Sequence, residues 1–173
     1  MERCVVTEEK HGEDIDRSEE WEQLRATYLP SPTVRPESSA QGVHHLALLS
    51  SDVEQTIAFY QGVLEFPLTE LFENRDYKGS THFFFDIGNG NALAFFDFPG
   101  LELGAYREVL GSLHHLAISV TPDKWHHLRS KLEDAGVEIV FEHQGSIYFS
   151  GPDGERLELL AEPLGEMNGR PVL

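Results

Sequence analysis

The hydrophobic pattern changes period several times along the chain, and the changes occur twice. Residues 43–49 read Val-His-His-Leu-Ala-Leu-Leu, a run dense enough in apolar residues for a strand. A helix signal follows over 52–64, with Asp52 placed to cap it. Strand-like runs then occupy 68–74, 81–87 and 92–98, and Gly88-Asn89-Gly90 supplies the turn between the last two. Residues 112–118, Ser-Leu-His-His-Leu-Ala-Ile, restart the series seventy positions later. A second helix is expected over 122–135, with Thr121 as cap, Pro122 at its first position and Gly136 as its stop. Three more strands fall at 138–142, 146–149 and 156–162, with Pro152-Asp153-Gly154 turning between the last two. A repeat of this length fixes architecture ahead of any local reading. The chain is therefore expected to be α+β, with two tandem βαβββ modules at 42–98 and 112–163. Residues 99–111 join them, with a short helix at 105–110, and 164–173 form a tail.

Residues 1–41 read differently. A helix is expected over 18–29, with Trp21, Leu24 and Tyr28 on one face. Pro30, Pro32 and Pro36 then make an extended linker. This arm either docks on a surface or stays a partly ordered tail.

Side chains alternate along strands, which sorts the residues of each module between two faces. In the first strand Leu46 and Leu48 share the face of His44, while His45, Ala47 and Leu49 take the other. The second copy repeats this, with Leu116 and Ile118 beside His114, and Ala117 and Ser119 beside His115. In the last strand Leu157 and Leu159 oppose Arg156, Glu158 and Leu160. The aliphatic faces suit packing on a helix, and the faces with small alanines suit a lined cavity. His45, His115 and Glu158 all fall on the cavity faces. Two imidazoles and one carboxylate around a divalent metal leave positions open, as in non-haem Fe(II) oxygenases, and also suit Mn, Ni or Zn in a Lewis-acid role. The alternative is two hydrogen-bonded core histidines and a solvated carboxylate. Phe83, Phe85 and Phe95 are either part of an aromatic pocket or helix-facing core.

Composition narrows the classes. Thirteen Lys and Arg against 30 Asp and Glu leave a formal charge of −17. That argues against binding to nucleic acid or to an anionic membrane surface. Part of the excess lies in the arm, at 8–14 and 16–22. Cys4 is the single cysteine, so an intramolecular disulfide and a cysteine-based metal cluster are excluded. No apolar run approaches the roughly 20 residues of a membrane span. With no hydrophobic signal region at its start, the chain reads as cytoplasmic.

His-His-Leu-Ala-Leu at 44–48, the following Ser-Asp-Val-Glu-Gln-Thr-Ile-Ala-Phe-Tyr-Gln-Gly-Val-Leu-Glu-Phe at 51–66, and Tyr-Phe-Ser-Gly-Pro-Asp-Gly-Glu-Arg-Leu-Glu-Leu at 148–159 resemble the vicinal oxygen chelate superfamily. That superfamily includes glyoxalase I, the fosfomycin and bleomycin resistance proteins and the type I extradiol dioxygenases. The resemblance implies a cupped, partly open barrel around a metal site. It places four ligand slots at His45, Ala94, His115 and Glu158, of which alanine cannot serve. Three filled slots, and a tyrosine ten residues before the glutamate at Tyr148, resemble the extradiol enzymes. These imply Fe(II), a small catecholic substrate and O₂. The slot of their catalytic histidine falls near Asn91, which cannot act as a base, so His143, or less readily His82, would substitute. Other expectations are a metal-dependent lyase or isomerase, or a module that sequesters a small molecule. Both modules lie in one chain, so their ligands could converge within it and a metal site needs no partner. Superfamily members also exchange modules between subunits, and long strands with open edges favour association, so a homodimer is the alternative assembly.

Overall fold

The computed structural model describes residues 16–173; Cys4 and the acidic stretch 8–14 lie outside the described residues. The chain forms two units, Met1–Gln41 and Gly42–Leu173. In the first, helix α1 spans Ser18–Tyr28 and buries none of its residues. The expected face is present but open, with Trp21, Leu24 and Tyr28 all exposed.

The second unit contains both modules. Strand β1 (His45–Leu49) leads into helix α2 (Val53–Ile57), which continues as a π-helical turn over Ala58–Val63. Asp52 caps α2 by accepting the Gln55 N–H at 3.0 Å. Strands β2 (Leu68–Glu73), β3 (Thr81–Asp86) and β4 (Ala92–Phe96) complete a sheet of order β1-β4-β3-β2, in which β1 runs parallel to β4. The second module repeats the plan with β5 (Leu116–Ser119), α3 (Pro122–Asp134), β6 (Ile139–His143), β7 (Ser146–Ser150) and β8 (Arg156–Leu160) in the order β5-β8-β7-β6. Thr121 caps α3, accepting from the Lys124 N–H. The two sheets are cupped and do not close into a barrel. β1 and β5 are edge strands of their sheets. A small hairpin, β9 (Glu166–Met167) with β10 (Arg170–Pro171), takes the place of the expected tail.

One expectation is corrected and one open alternative is decided. Residues 105–110 form no helix. Gly104 and Gly111 flank that stretch. The segment is tied down by side chains instead: the Tyr106 hydroxyl donates to the Leu113 carbonyl, and Glu108 pairs with Arg156 at 2.7 Å. The second concerns the phenylalanines. Phe83, Phe85 and Phe95 are fully buried in the core, so they are no pocket wall. Their strand faces the helices with odd-numbered residues, and the even-numbered Phe84 and Phe96 lie on the open face.

The modules join through their helix-bearing sides. Phe59, Tyr60 and Leu64 from the first share one core with Trp125, Leu128, Phe149 and Leu157 from the second. Burial of that apolar area is the main driving force for the pairing. A polar link crosses the same boundary. The Tyr60 hydroxyl donates to Glu155 Oε1 at 2.6 Å, and Glu155 Oε2 accepts the Asp153 N–H at 3.0 Å. Gly151 leaves room for that carboxylate, because a Cβ there would lie 2.0 Å from Oε1.

Glu65 forms a second link, on the surface. It accepts from Lys124 at 2.9 Å, His127 at 2.8 Å and Lys131 at 3.1 Å. These partners, His127 foremost, lower its pKa to about 2 from an ordinary 4.5. A depressed carboxylate contributes stability above its unfolded pKa and loses it as pH falls. Glu65→Gln should therefore flatten the loss of stability between pH 4.5 and 2, read from denaturant midpoints across that range. Glu155 acts in the opposite sense, because burial raises its pKa. Its contribution is full below pH 4.5 and declines above it.

Candidate functional site

Glu158 sits in β8 on the open face of the second sheet, opposite Ala117 of β5 and Tyr148 of β7. It is buried even though it faces away from the core. An isolated buried carboxylate is costly, and here each oxygen has a partner. The Ser146 hydroxyl donates to Oε1 at 2.5 Å, while Oε2 lies 3.2 Å from His115 Nε2. Tyr148 adds to the cluster. Its ring stands edge-on to that of His115, with centroids 5.4 Å apart. Its pKa is raised, first by burial and then by hydrogen bonding to Glu158 and the charge of that residue. The phenol thus stays protonated at neutral pH and remains a donor.

His143 lies at the end of β6, in register with Ser146, while Phe141 of β6 is in register with Tyr148. His143 and Phe141 therefore share the open face with Ser146, Tyr148 and Glu158. So the structure gathers four of the six expected site residues on one wall: His115, Glu158, Tyr148 and His143.

His45 and Asn91 stand elsewhere. His45 begins β1 on the open face of the first sheet, beside Phe84 with ring centroids 6.1 Å apart. Among the described residues no three His, Cys, Asp or Glu side chains come together to hold a metal ion. One chain therefore does not bring His45 to His115 and Glu158. The reason is the back-to-back packing of the modules, which points their open faces apart. Asn91 closes the β3–β4 turn, its N–H bonded to the Gly88 carbonyl at 2.9 Å and its carbonyl accepting from Ile87. In β4 the open-face residues are Ala92, Ala94 and Phe96, and Asn91 lies before the strand with the opposite parity. Ala94, in register with Ala47, is fully buried.

The open face of the first sheet is aromatic. His82 stacks on Phe96 at 3.8 Å and packs against Phe84 at 4.3 Å and Phe72 at 5.2 Å. Burial lowers its pKa, with the charge of His45 a second cause. Its Nε2 is buried and has no hydrogen-bond partner among the described residues. The alternation of β3 could have found this wall in the sequence, since Phe84 has the parity of His82.

Both candidate histidines share one more feature. His44 Nδ1 lies 2.9 Å from His45 Nδ1, and His114 Nδ1 lies 2.7 Å from His115 Nδ1. Strand alternation predicts His44 and His114 on the helix-facing side. Instead, their ring nitrogens reach the neighbouring histidine of each pair. His114 Nε2 also lies 3.3 Å from Arg156 Nη1.

Comparisons with known proteins agree with this architecture. The model of the Glyoxalase/Bleomycin resistance protein/Dioxygenase superfamily matches residues 42–159. Metallothiol transferase FosB of Bacillus licheniformis is 32% identical over 124 residues, which cover 68% of this chain and 73% of that protein. MhqA of Bacillus subtilis, named as a candidate ring-cleaving dioxygenase, is 26% identical over 143 residues. They cover 76% of this chain and 43% of MhqA, so the chain spans less than half of that relative. Among solved structures, a glyoxylase/bleomycin resistance protein/dioxygenase domain from Frankia sp. EAN1pec superposes with a TM-score of 0.62 at 20% identity, over 72% of this chain and all of that one. At that identity the likeness speaks for the fold alone. No helix among the described residues is long and apolar enough to cross a membrane.

Proposed function

Because the chain belongs to the Glyoxalase/Bleomycin resistance protein/Dioxygenase superfamily, we propose that it is a divalent-metal enzyme acting on a small substrate with adjacent oxygens. Its metal is held by His115 and Glu158 of one copy and His45 of a second. The carrying observation is the approach of His115 Nε2 to Glu158 Oε2 at 3.2 Å. Two donors of the right chemistry converge there, and their outer atoms are already occupied by Ser146 and His114. His45, the third donor, lies on the other open face, where only another chain can complete the set. The open faces suit a homodimer: Val43, Leu49, Phe72 and Phe141 are exposed on or beside them, and β1 and β5 each leave an edge unpaired.

When bound, an ion at these residues supplies Lewis-acid polarisation of the substrate oxygens. Tyr148, kept protonated, donates a hydrogen bond to one of those oxygens. His143 is placed on the same wall to accept or deliver a proton. Ser146 fixes the rotation of Glu158, so Oε2 faces His115. This set favours ring cleavage of a catecholic substrate with Fe(II) and O₂, a reading the identity to MhqA supports. A second reading is transfer of a thiol to an electrophile, favoured by the fuller coverage of FosB.

Protein purified without added metal should carry iron and consume oxygen with a catechol panel. Another metal, no oxygen uptake, and loss of free thiol on mixing with fosfomycin would favour the second reading. Unchanged metal content in His115→Ala would overturn the site itself. Tyr148→Phe should keep its metal and lose roughly a hundred-fold in turnover, the usual cost of one donor aimed at developing charge; metal analysis and steady-state rates check both parts.

A further inference from the structure

We propose that His114 positions His115, and that the line Arg156–His114–His115–Glu158 sets which nitrogen of His115 carries its proton. The inference rests on the metal-site reading above. It starts from chemistry that leaves no freedom at the two ends. A guanidinium only donates, so the 3.3 Å contact from Arg156 Nη1 makes His114 Nε2 an acceptor. The His114 proton then sits on Nδ1. An ionised carboxylate only accepts, so the 3.2 Å contact at Glu158 Oε2 makes His115 Nε2 a donor. Its Nδ1 must then accept. The 2.7 Å contact between the two Nδ1 atoms needs one donor and one acceptor, and the two ends assign them in the same direction. Every link is satisfied with both rings neutral. Glu108 anchors the far end by pairing with Arg156 at 2.7 Å.

This arrangement opposes metal capture, because an incoming ion needs the lone pair that Nε2 gives up when protonated. Loading therefore reverses the line. The proton on His114 Nδ1 passes to His115 Nδ1, the proton on His115 Nε2 leaves to water, and one from water enters at His114 Nε2. Proton number is unchanged. Arg156, now facing an N–H, must leave His114, while its pair with Glu108 can persist.

The first module provides an internal contrast. His44 and His45 make the same Nδ1 contact at 2.9 Å, but the β4 residues beside His45 and Ala47 are Ala92 and Ala94. Those alanines offer neither the guanidinium nor the carboxylate that Arg156 and Glu158 provide at the corresponding positions of β8. His45 is the ligand without a preset, and His115 the one with it.

Ring ¹⁵N–¹H spectra of the full chain, recorded without metal and then with zinc as the probe, test this directly. We expect the His115 proton on Nε2 without metal and on Nδ1 with zinc, and the His114 proton to move from Nδ1 to Nε2. His114→Phe should weaken zinc binding roughly 10–100-fold, as loss of an outer-shell partner does. His114→Asn, which keeps a polar atom near the Nδ1 position, should recover most of it. A metal-free His115 protonated on Nδ1, or His114→Phe binding zinc as tightly as the parent, would overturn the proposal. If the parent protein binds no zinc, iron or manganese, the metal-site reading fails instead. The metal-free spectra still decide the proton line in that case.

Discussion

His45→Ala and Glu158→Ala, each unable to hold metal alone, are expected to recover binding when refolded together. Each variant lacks one donor at every site of its own dimer. Removing a ligand should cost more than the ~100-fold that outer-shell changes reach. In a mixed dimer one site carries both substitutions and the other neither. With random pairing about half the dimers are mixed, so about a quarter of the parental sites should return in a two-fold assembly. The double variant, refolded alone, should recover nothing. Metal bound per chain after dialysis is the measurement. Failure to recover, with both variants folded and paired, would exclude a site shared between copies.

Phe85→Ala is expected to destabilise the fold by about 3–5 kcal/mol, and its neighbour Phe84→Ala by about 1 kcal/mol. Phe85 is fully buried and packs on Tyr60, with ring centroids 5.4 Å apart. Its loss leaves a cavity where the two modules share their core, which neither can fill by small shifts. Phe84 is half-exposed on the open face, between His82 and His45. Out of a typical total of about 5–15 kcal/mol, the first change is severe and the second mild. Thermal unfolding should show a drop of roughly 10–20 °C for Phe85→Ala. Equal losses at both positions would mean that the strand faces are wrongly assigned. Phe84→Ala should instead weaken the binding of aromatic substrates.

Several local features were legible because their causes are local. Asp52 and Thr121 cap the helices expected of them, since a cap needs only its own side chain and the N–H three residues on. Most strands fall within a residue or two of their expected ends, while β5 begins four residues after the expected start at 112. The phenylalanines show where that reading stops. Alternation separates Phe83 and Phe85 from Phe84, but it does not say which set meets the helix. That depends on a packing partner about twenty-five residues away in sequence, Tyr60 for Phe85. Asn91 was mapped by its counterpart in the repeat, yet its backbone serves a turn, and a turn position does not carry the orientation of the adjoining strand. Strand parity puts His44 and His114 on the helix side, yet their rings contact those of His45 and His115.

The two βαβββ modules, their order, and the residue types available for a metal were set by the sequence itself. A seventy-residue repeat and a period-two pattern survive any arrangement of the modules. Which residues can act together was decided by tertiary structure. The apolar sides of the two modules bury each other, with Tyr60 on Glu155 and Glu65 clasped by α3. That burial turns the open faces apart. His115 meets Glu158 because β5 and β8 are neighbours in one sheet. His45 does not, because it belongs to the other sheet, and no spacing along the chain records the direction in which a sheet faces.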